Sequence, residues 1–219
     1  YLKNRMLDYK PGVAGASDQT LAGNIPTSEE TTHFSVIDPE GNMVAVTTTL
    51  NGGYGNRTVV GDAGFILNNE MDDFSAKPGS PNMYGAIGGE ANSIAPYKRM
   101  LSSMTPTLLT KNKKPFLTIG TPGGTTIPTS VFQAIVNLVD FNMSLEDAIN
   151  SPKFHHQWLP DEVSIEKTFN QNTKTELEKM GYRIKNRGSI GRTEGILIGP
   201  TGKRITVADK RGDDAVAGF

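Results

Sequence analysis

The sequence predicts an α+β protein built mainly of antiparallel strand pairs with a few packed helices. Three observations carry this. β-prone runs rich in branched residues recur across short Pro/Gly turns, as in Phe34-Ser35-Val36-Ile37 and Met43 to Leu50 around Asp38-Pro39-Glu40-Gly41-Asn42. Apolar residues fall at helical spacing in three other stretches. The 24 glycines and 13 prolines among 219 residues imply many tight turns, with no internal repeat or low-complexity period.

In chain order, residues 10–30 are rich in Gly, Pro, Ser, Thr and Asp, lack a sustained apolar period, and read as an exposed linker. Order is expected from Thr32, with the first hairpin carrying Thr31 at its edge. Further strands are expected at Gly64 to Leu67, at Thr107 to Thr110 and Phe116 to Gly120 across a Lys111 to Pro115 turn, and at Gly195 to Ile198 and Arg204 to Ala208 across Pro200-Thr201-Gly202-Lys203. Short connections make these pairs antiparallel. Helices are expected at Thr129 to Phe141, with Val131, Ile135, Leu138 and Val139 on one face, at Leu145 to Asn150 behind a Ser144/Asp147 capping box, and at Thr173 to Met180 between Asn172 and Gly181. No clear linker follows residue 31, so one structural unit is expected there.

Composition narrows the function classes. Twenty-two basic against 23 acidic residues leave no net field to attract nucleic acid or an anionic membrane, so a small molecule is the better default partner. No run of about 18 apolar residues is present, which argues against a membrane-spanning helix. The absence of cysteine removes disulfides, thiolate catalysis and thiolate metal sites. The chain opens at Tyr1 without Met or a signal peptide, and so reads as a processed product or a fragment.

Several segments carry chemistry. Thr31 in Thr31-Thr32-His33-Phe34-Ser35 can act as a nucleophile if the chain is cut before it, because the freed α-amine then serves as its base; otherwise the pair is an ordinary strand opening. Gly120-Thr121-Pro122-Gly123-Gly124-Thr125-Thr126, between a strand and a helix, offers unhindered amides to an anion or oxyanion, and lacks both the P-loop lysine and GxGxxG spacing. Asn68-Asn69-Glu70-Met71-Asp72-Asp73 does not match a calcium loop; it is either a solvated acidic turn or a clamp for a substrate ammonium. Ser102 and Ser103 offer hydroxyls to a carboxylate, or simply form a turn. His155 and His156 are adjacent, with no HExxH or cysteine partner, which rules out a zinc site; both are assigned structural roles. No G-x-S-x-G elbow anchors a Ser-His-Asp triad.

Taken in order, Thr-Thr-His-Phe-Ser-Val, Leu-Asn-Asn-Glu-Met-Asp-Asp-Phe-Ser-Ala-Lys-Pro-Gly, Lys-Arg-Met-Leu-Ser-Ser-Met-Thr-Pro, Pro-Gly-Gly and Phe-His-His-Gln-Trp-Leu-Pro-Asp-Glu resemble the γ-glutamyltransferase (γ-glutamyl transpeptidase) family over Thr31 to Phe219. The resemblance implies an N-terminal-nucleophile hydrolase with an αββα sandwich, made as a zymogen that cuts itself between Glu30 and Thr31. Residues 1–30 would then be the tail of the large subunit and residues 31–219 the small catalytic subunit. It implies Thr31 as nucleophile, Thr49 as its orienting partner, and the Gly123 and Gly124 amides as oxyanion hole. Asn51, Glu70 and Asp73 would hold the amino and carboxyl ends of the γ-glutamyl group, with Asp73 on the ammonium. Ser102 and Ser103 would bind the α-carboxylate and Tyr84 would sit on a lid loop.

The implied activity is γ-glutamyl transfer and hydrolysis on glutathione and related compounds, with water, an amino acid or a peptide as acceptor. No cofactor or metal is implied. The large subunit of the same precursor is the expected partner, supplying an arginine and most of one sheet, and the expected location is periplasmic or extracellular. Met100 stands where the family often has Pro. Two other readings remain open: a related acylase acting on β-lactam side chains or poly-γ-glutamate, and a non-enzymatic truncated subunit that binds a partner.

Overall fold

A computed structural model describes residues 31–218. The expected linker over 10–30 and the Glu30-Thr31 bond lie outside the described residues. The hairpin is present: β1 (Thr31–Ile37) and β2 (Met43–Thr49) pair antiparallel in a register that sets Thr31 opposite Thr49 and Ile37 opposite Met43. Its turn closes because Asp38 accepts from the Gly41 N–H at 3.1 Å and from the Asn42 side chain at 2.7 Å, while Gly41 takes φ +89°, which glycine adopts at no steric cost.

The second sheet has the order β3 (Thr107–Lys111), β4 (Lys114–Gly120), β8 (Glu194–Ile198), β9 (Arg204–Val207), every pair antiparallel. Strand β4 shows why this sheet lies in the middle of the fold. Its side chains alternate, so Leu117 and Ile119 point one way and Thr118 and Gly120 the other. Leu117 and Ile119 are fully buried with Val131, Ala134, Leu145 and Ile149, the inward faces of α1 (Ile127–Val139) and α2 (Leu145–Asn150). Thr118 donates to Ser35 Oγ and the Val44 carbonyl on the hairpin, and the His33 ring occupies the space where a side chain at Gly120 would stand. Hairpin, four-stranded sheet and helices therefore stack in that order. Ser144 caps α2 by accepting from the Asp147 N–H at 3.1 Å, as its capping-box sequence predicts.

One expectation needs correction, and one sheet was not foreseen. Residues 64–67 form no strand; one isolated bridge, Val59 to Ile66, brackets a 3-10 turn at Gly61–Ala63, and Gly64 sits at φ +71°, outside the extended region. A third sheet, unforeseen, joins β5 (Phe154–His155), β6 (Val163–Glu166) and β7 (Ile184–Arg187). Its β6–β7 pair is parallel, and the crossover is α3 (Gln171–Lys179), capped by Asn170.

Candidate active site

The hairpin register places two threonines side by side at its open end. Thr31 Oγ1 donates to Thr49 Oγ1 at 3.2 Å, and Thr31 is 5% exposed. Directly after β2, the Asn51 N–H donates to the same Thr49 hydroxyl at 2.9 Å. Asn51 is buried at φ +70°, a conformation asparagine tolerates better than most residues, which turns the chain toward the segment carrying Asn69 and Tyr84. Its side chain donates to the Asn69 carbonyl at 3.2 Å, its carbonyl accepts from the Tyr84 hydroxyl at 2.6 Å, and Asn69 Oδ1 receives the Gly52 N–H at 2.8 Å.

Tyr84 joins this group to the glycine loop. Its ring lies against Gly124, so close that a Cβ there would come within 3.2 Å of it. Gly123 and Gly124 take φ +144° and +54°, which glycine alone adopts without strain, and they enter the 3-10 turn Gly124–Thr126 that leads into α1. The first N–H groups of a helix lack partners within it. No acceptor among the described residues takes the Gly123 or Gly124 N–H. Around the loop, Thr125 donates to Gln157 Oε1 at 2.8 Å, and His155 bonds Gln157 and Thr129 at 2.8 and 2.9 Å. His155 thus braces the start of α1, in keeping with its structural assignment. His33, buried beneath Thr31 on the same strand face, bonds Thr47 and Ser35, and burial pushes its pKa down to about 4, so it is neutral.

Two hollows meet at Tyr84. The larger, about 840 Å³, is lined by Asn51, Tyr84 and Gly123 on one side and by Arg187, Arg192 and Arg211 on the other. The smaller, about 280 Å³, is lined by Asp72, Asp73, Tyr84, Ser103 and Thr125. Burial, then the charges of Glu70 and Asp72, push Asp73 up to about 6; burial also raises Glu70.

Of the residues singled out in the sequence, Thr31, Thr49, Asn51, Tyr84, Gly123 and Gly124 are linked by contacts or by a shared wall, and Asp73 and Ser103 face Tyr84 across the smaller hollow. Glu70 and Ser102 line neither hollow. Ser102 Oγ instead accepts the Met104 N–H at 3.2 Å in a local turn. The arginine wall was missed: Arg187, Arg192 and Arg211 lie far from the recognised motifs in sequence, and only the glycines between them, Gly188 and Gly191, hint at a backbone approach.

Mainly antiparallel sheets faced by helices, with Thr31 and Thr49 paired at one end of the β1–β2 hairpin, match solved structures of N-terminal-nucleophile hydrolase fold. The chain belongs to the gamma-glutamyltranspeptidase family, whose model matches residues 4–219. It is 49% identical over 193 residues to the glutathione hydrolase proenzyme of Escherichia coli, covering 88% of this chain and 33% of that one. With the glutathione hydrolase proenzyme of Pseudomonas aeruginosa it shares 42% over 217 residues, 97% of this chain and 38% of the other. The chain thus spans about a third of the length of these relatives. Among solved structures, a point mutant of Helicobacter pylori gamma-glutamyltranspeptidase superposes with a TM-score of 0.79 at 48% identity, covering 83% of this chain and 100% of that one. Among the described residues no helix is long and apolar enough to cross a membrane.

Proposed function

We propose that this chain provides the catalytic part of a γ-glutamyl transferase and hydrolase acting on glutathione and related γ-glutamyl compounds. The observation that carries this reading is the Thr31-Thr49-Asn51-Tyr84 chain of hydrogen bonds, with the Tyr84 ring packed against Gly124, in a member of this family. The Glu30-Thr31 bond is cut autocatalytically. That leaves residues 1–30 as the tail of the large subunit, which stays the partner of residues 31–219 and completes the pocket.

Thr31 Oγ, held by Thr49 and deprotonated by its own α-amine, attacks the γ-carbonyl. The oxyanion is received by the Gly123 and Gly124 N–H groups, the amine leaves with the proton, and a γ-glutamyl ester remains on Thr31. Water or the amine of an amino acid or peptide then takes the acyl group. Asp73 holds the substrate ammonium. Ser103, with Ser102 after a turn of its hydroxyl, takes the α-carboxylate; Asn51 and Glu70 help hold the amino and carboxyl ends of the γ-glutamyl group, Glu70 after moving in from outside both hollows. Such chemistry needs no cofactor, and the location is periplasmic or extracellular as in an exported enzyme of this kind.

The test is release of p-nitroaniline from γ-glutamyl-p-nitroanilide by the full-length precursor, with a glutaryl amide as the competing substrate. Turnover of the first and not the second is expected; preference for the glutaryl amide would replace this reading with an acylase.

Two further outcomes follow. Asp73 must be ionised to pair with an ammonium, so kcat/KM should fall as pH drops through about 6 in wild type. In Asp73→Asn it should be low at every pH, without that limb. Gly124→Ala places a Cβ at a left-handed φ and against the Tyr84 ring, and should lower kcat by roughly 10²-fold, the scale of losing one oxyanion donor. Steady-state kinetics check both.

A further inference from the structure

An oxyanion hole made of backbone works only if its N–H groups point at the reacting atom before the charge forms. Each of these N–H groups belongs to a rigid plane. The Gly123 N–H shares its peptide plane with the Pro122 carbonyl and points opposite to it, and the Gly124 N–H is tied in the same way to the Gly123 carbonyl. Whatever holds those two carbonyls therefore aims the two donors.

Both carbonyls are held by threonine hydroxyls. Thr121 Oγ1 donates to the Pro122 carbonyl at 2.7 Å, and Thr126 Oγ1 donates to the Gly123 carbonyl at 2.7 Å. Both threonines are fully buried. Thr121 is itself fixed, because its oxygen accepts the Arg192 N–H at 2.8 Å, and Gly191 approaches so closely that a Cβ there would stand 2.8 Å from that oxygen. The Arg192 loop is in turn anchored on both sides: the Ile190 N–H donates to Glu166 and the Thr193 N–H to Asp209, both buried carboxylates. The Gly123 carbonyl has a second donor in the Thr126 N–H at 3.0 Å. The Pro122 carbonyl has no second donor among the described residues.

We propose that Thr121 and Thr126 are positioning residues that preset the oxyanion hole, each hydroxyl clamping the carbonyl that shares a peptide plane with one donor N–H. The role rests on the acyl-transfer reading above. Neither threonine touches substrate; each acts through a glycine amide. Thr121 carries the larger share, since it alone holds its carbonyl.

The test uses the full-length precursor with Thr121→Val, Thr121→Ser, Thr126→Val and Thr126→Ser, with rates expressed per cut chain. Valine keeps the shape and removes the hydroxyl; serine keeps the hydroxyl. Thr121→Val should lower kcat by roughly 10- to 100-fold, with KM for γ-glutamyl-p-nitroanilide within about twofold of wild type, and Thr126→Val should lower it less. The serine variants should restore most of the rate. A boronic acid analogue of the γ-glutamyl group, which forms a tetrahedral anionic adduct, should lose affinity in the valine variants in step with kcat.

Valine variants that turn over like wild type, or serine variants that fail as badly as valine, would overturn the positioning role. Should Thr121→Val not fold, the Thr126 pair decides by the same criteria. Absence of γ-glutamyl turnover in wild type overturns the acyl-transfer reading and this role with it, whereas wild-type turnover with unaltered valine variants overturns this role alone.

Discussion

Thr31→Ala in the full-length precursor is expected to remain one uncut chain and to release no p-nitroaniline from γ-glutamyl-p-nitroanilide. Two losses coincide because one hydroxyl is asked to do both jobs. In the proposed mechanism, Thr31 Oγ attacks the preceding carbonyl before the cut and the substrate after it, with the new α-amine as base. Among the described residues, neither Thr49 nor His33 can replace it. Thr49 has a hydroxyl at 3.2 Å but no amine of its own, since it lies inside β2, and His33 is neutral with both ring nitrogens engaged by Thr47 and Ser35. The rate should fall by at least about 10⁴-fold, the scale of deleting a nucleophile from an acyl-transfer enzyme. Thr31→Ser, which keeps the oxygen, should cut itself and retain measurable turnover. A denaturing gel and a colorimetric assay on the same samples check both.

The second large effect concerns folding. Arg211→Leu should destabilise the protein by about 3–5 kcal/mol, because it strips the partner from buried carboxylates. Arg211 bonds Glu166 at 2.6 and 2.7 Å and Asp209 at 2.9 Å, and donates to the Ser151 carbonyl at 2.8 Å. Without it, Asp209 keeps Lys153 at 3.4 Å and the Thr193 N–H at 2.9 Å, and Glu166 keeps only backbone N–H donors from Lys153 and Ile190. Burial would raise the Glu166 pKa, but the Arg211 bonds and those two N–H groups outweigh it and hold the pKa below the ordinary 4.5. That contribution is complete above the ordinary value and is lost as pH falls through the depressed one. Wild type should therefore lose stability in acid, and Arg211→Leu should show a smaller loss. At about 2–4 °C per kcal/mol for a chain of this size, the melting temperature should drop by roughly 10 °C. Lys179→Ala, which breaks the exposed pair with Glu176, should move it by no more than about a degree. Thermal melts across pH check the set.

The parts of this fold that were legible in the sequence are those set by local chemistry. The β1–β2 hairpin shows in its branched runs and in the Asp38 to Asn42 turn, α2 in its Ser144 cap, and the glycine loop in its unhindered backbone. The parts that were not are set by distant partners. Strands β5 and β6 span two and four residues, too few to show a period, and β7 carries Lys185, Asn186 and Arg187, which give no apolar alternation. The pairing of β4 with β8 joins residues about 80 apart in the chain. Glu166, Asp209 and Arg211 look like ordinary surface charges until folding brings them together.

The candidate site divides in the same way. Motif resemblance pointed to Thr31, Thr49, Asn51, Tyr84, Gly123 and Gly124, which the fold links. It could not reveal the arginine wall of the larger hollow or the Thr121 and Thr126 hydroxyls that hold the Pro122 and Gly123 carbonyls, because hydroxyl-to-carbonyl bonds leave no pattern in residue spacing.

The acyl-enzyme can be trapped by mixing the cut full-length protein with excess γ-glutamyl substrate, quenching in acid within the steady state, and mapping the adduct by peptide mass spectrometry. A γ-glutamyl group is expected on the peptide whose first residue is Thr31. A protein that turns over substrate while the acyl group sits on another residue, or while residue 31 is still joined to Glu30, would contradict it.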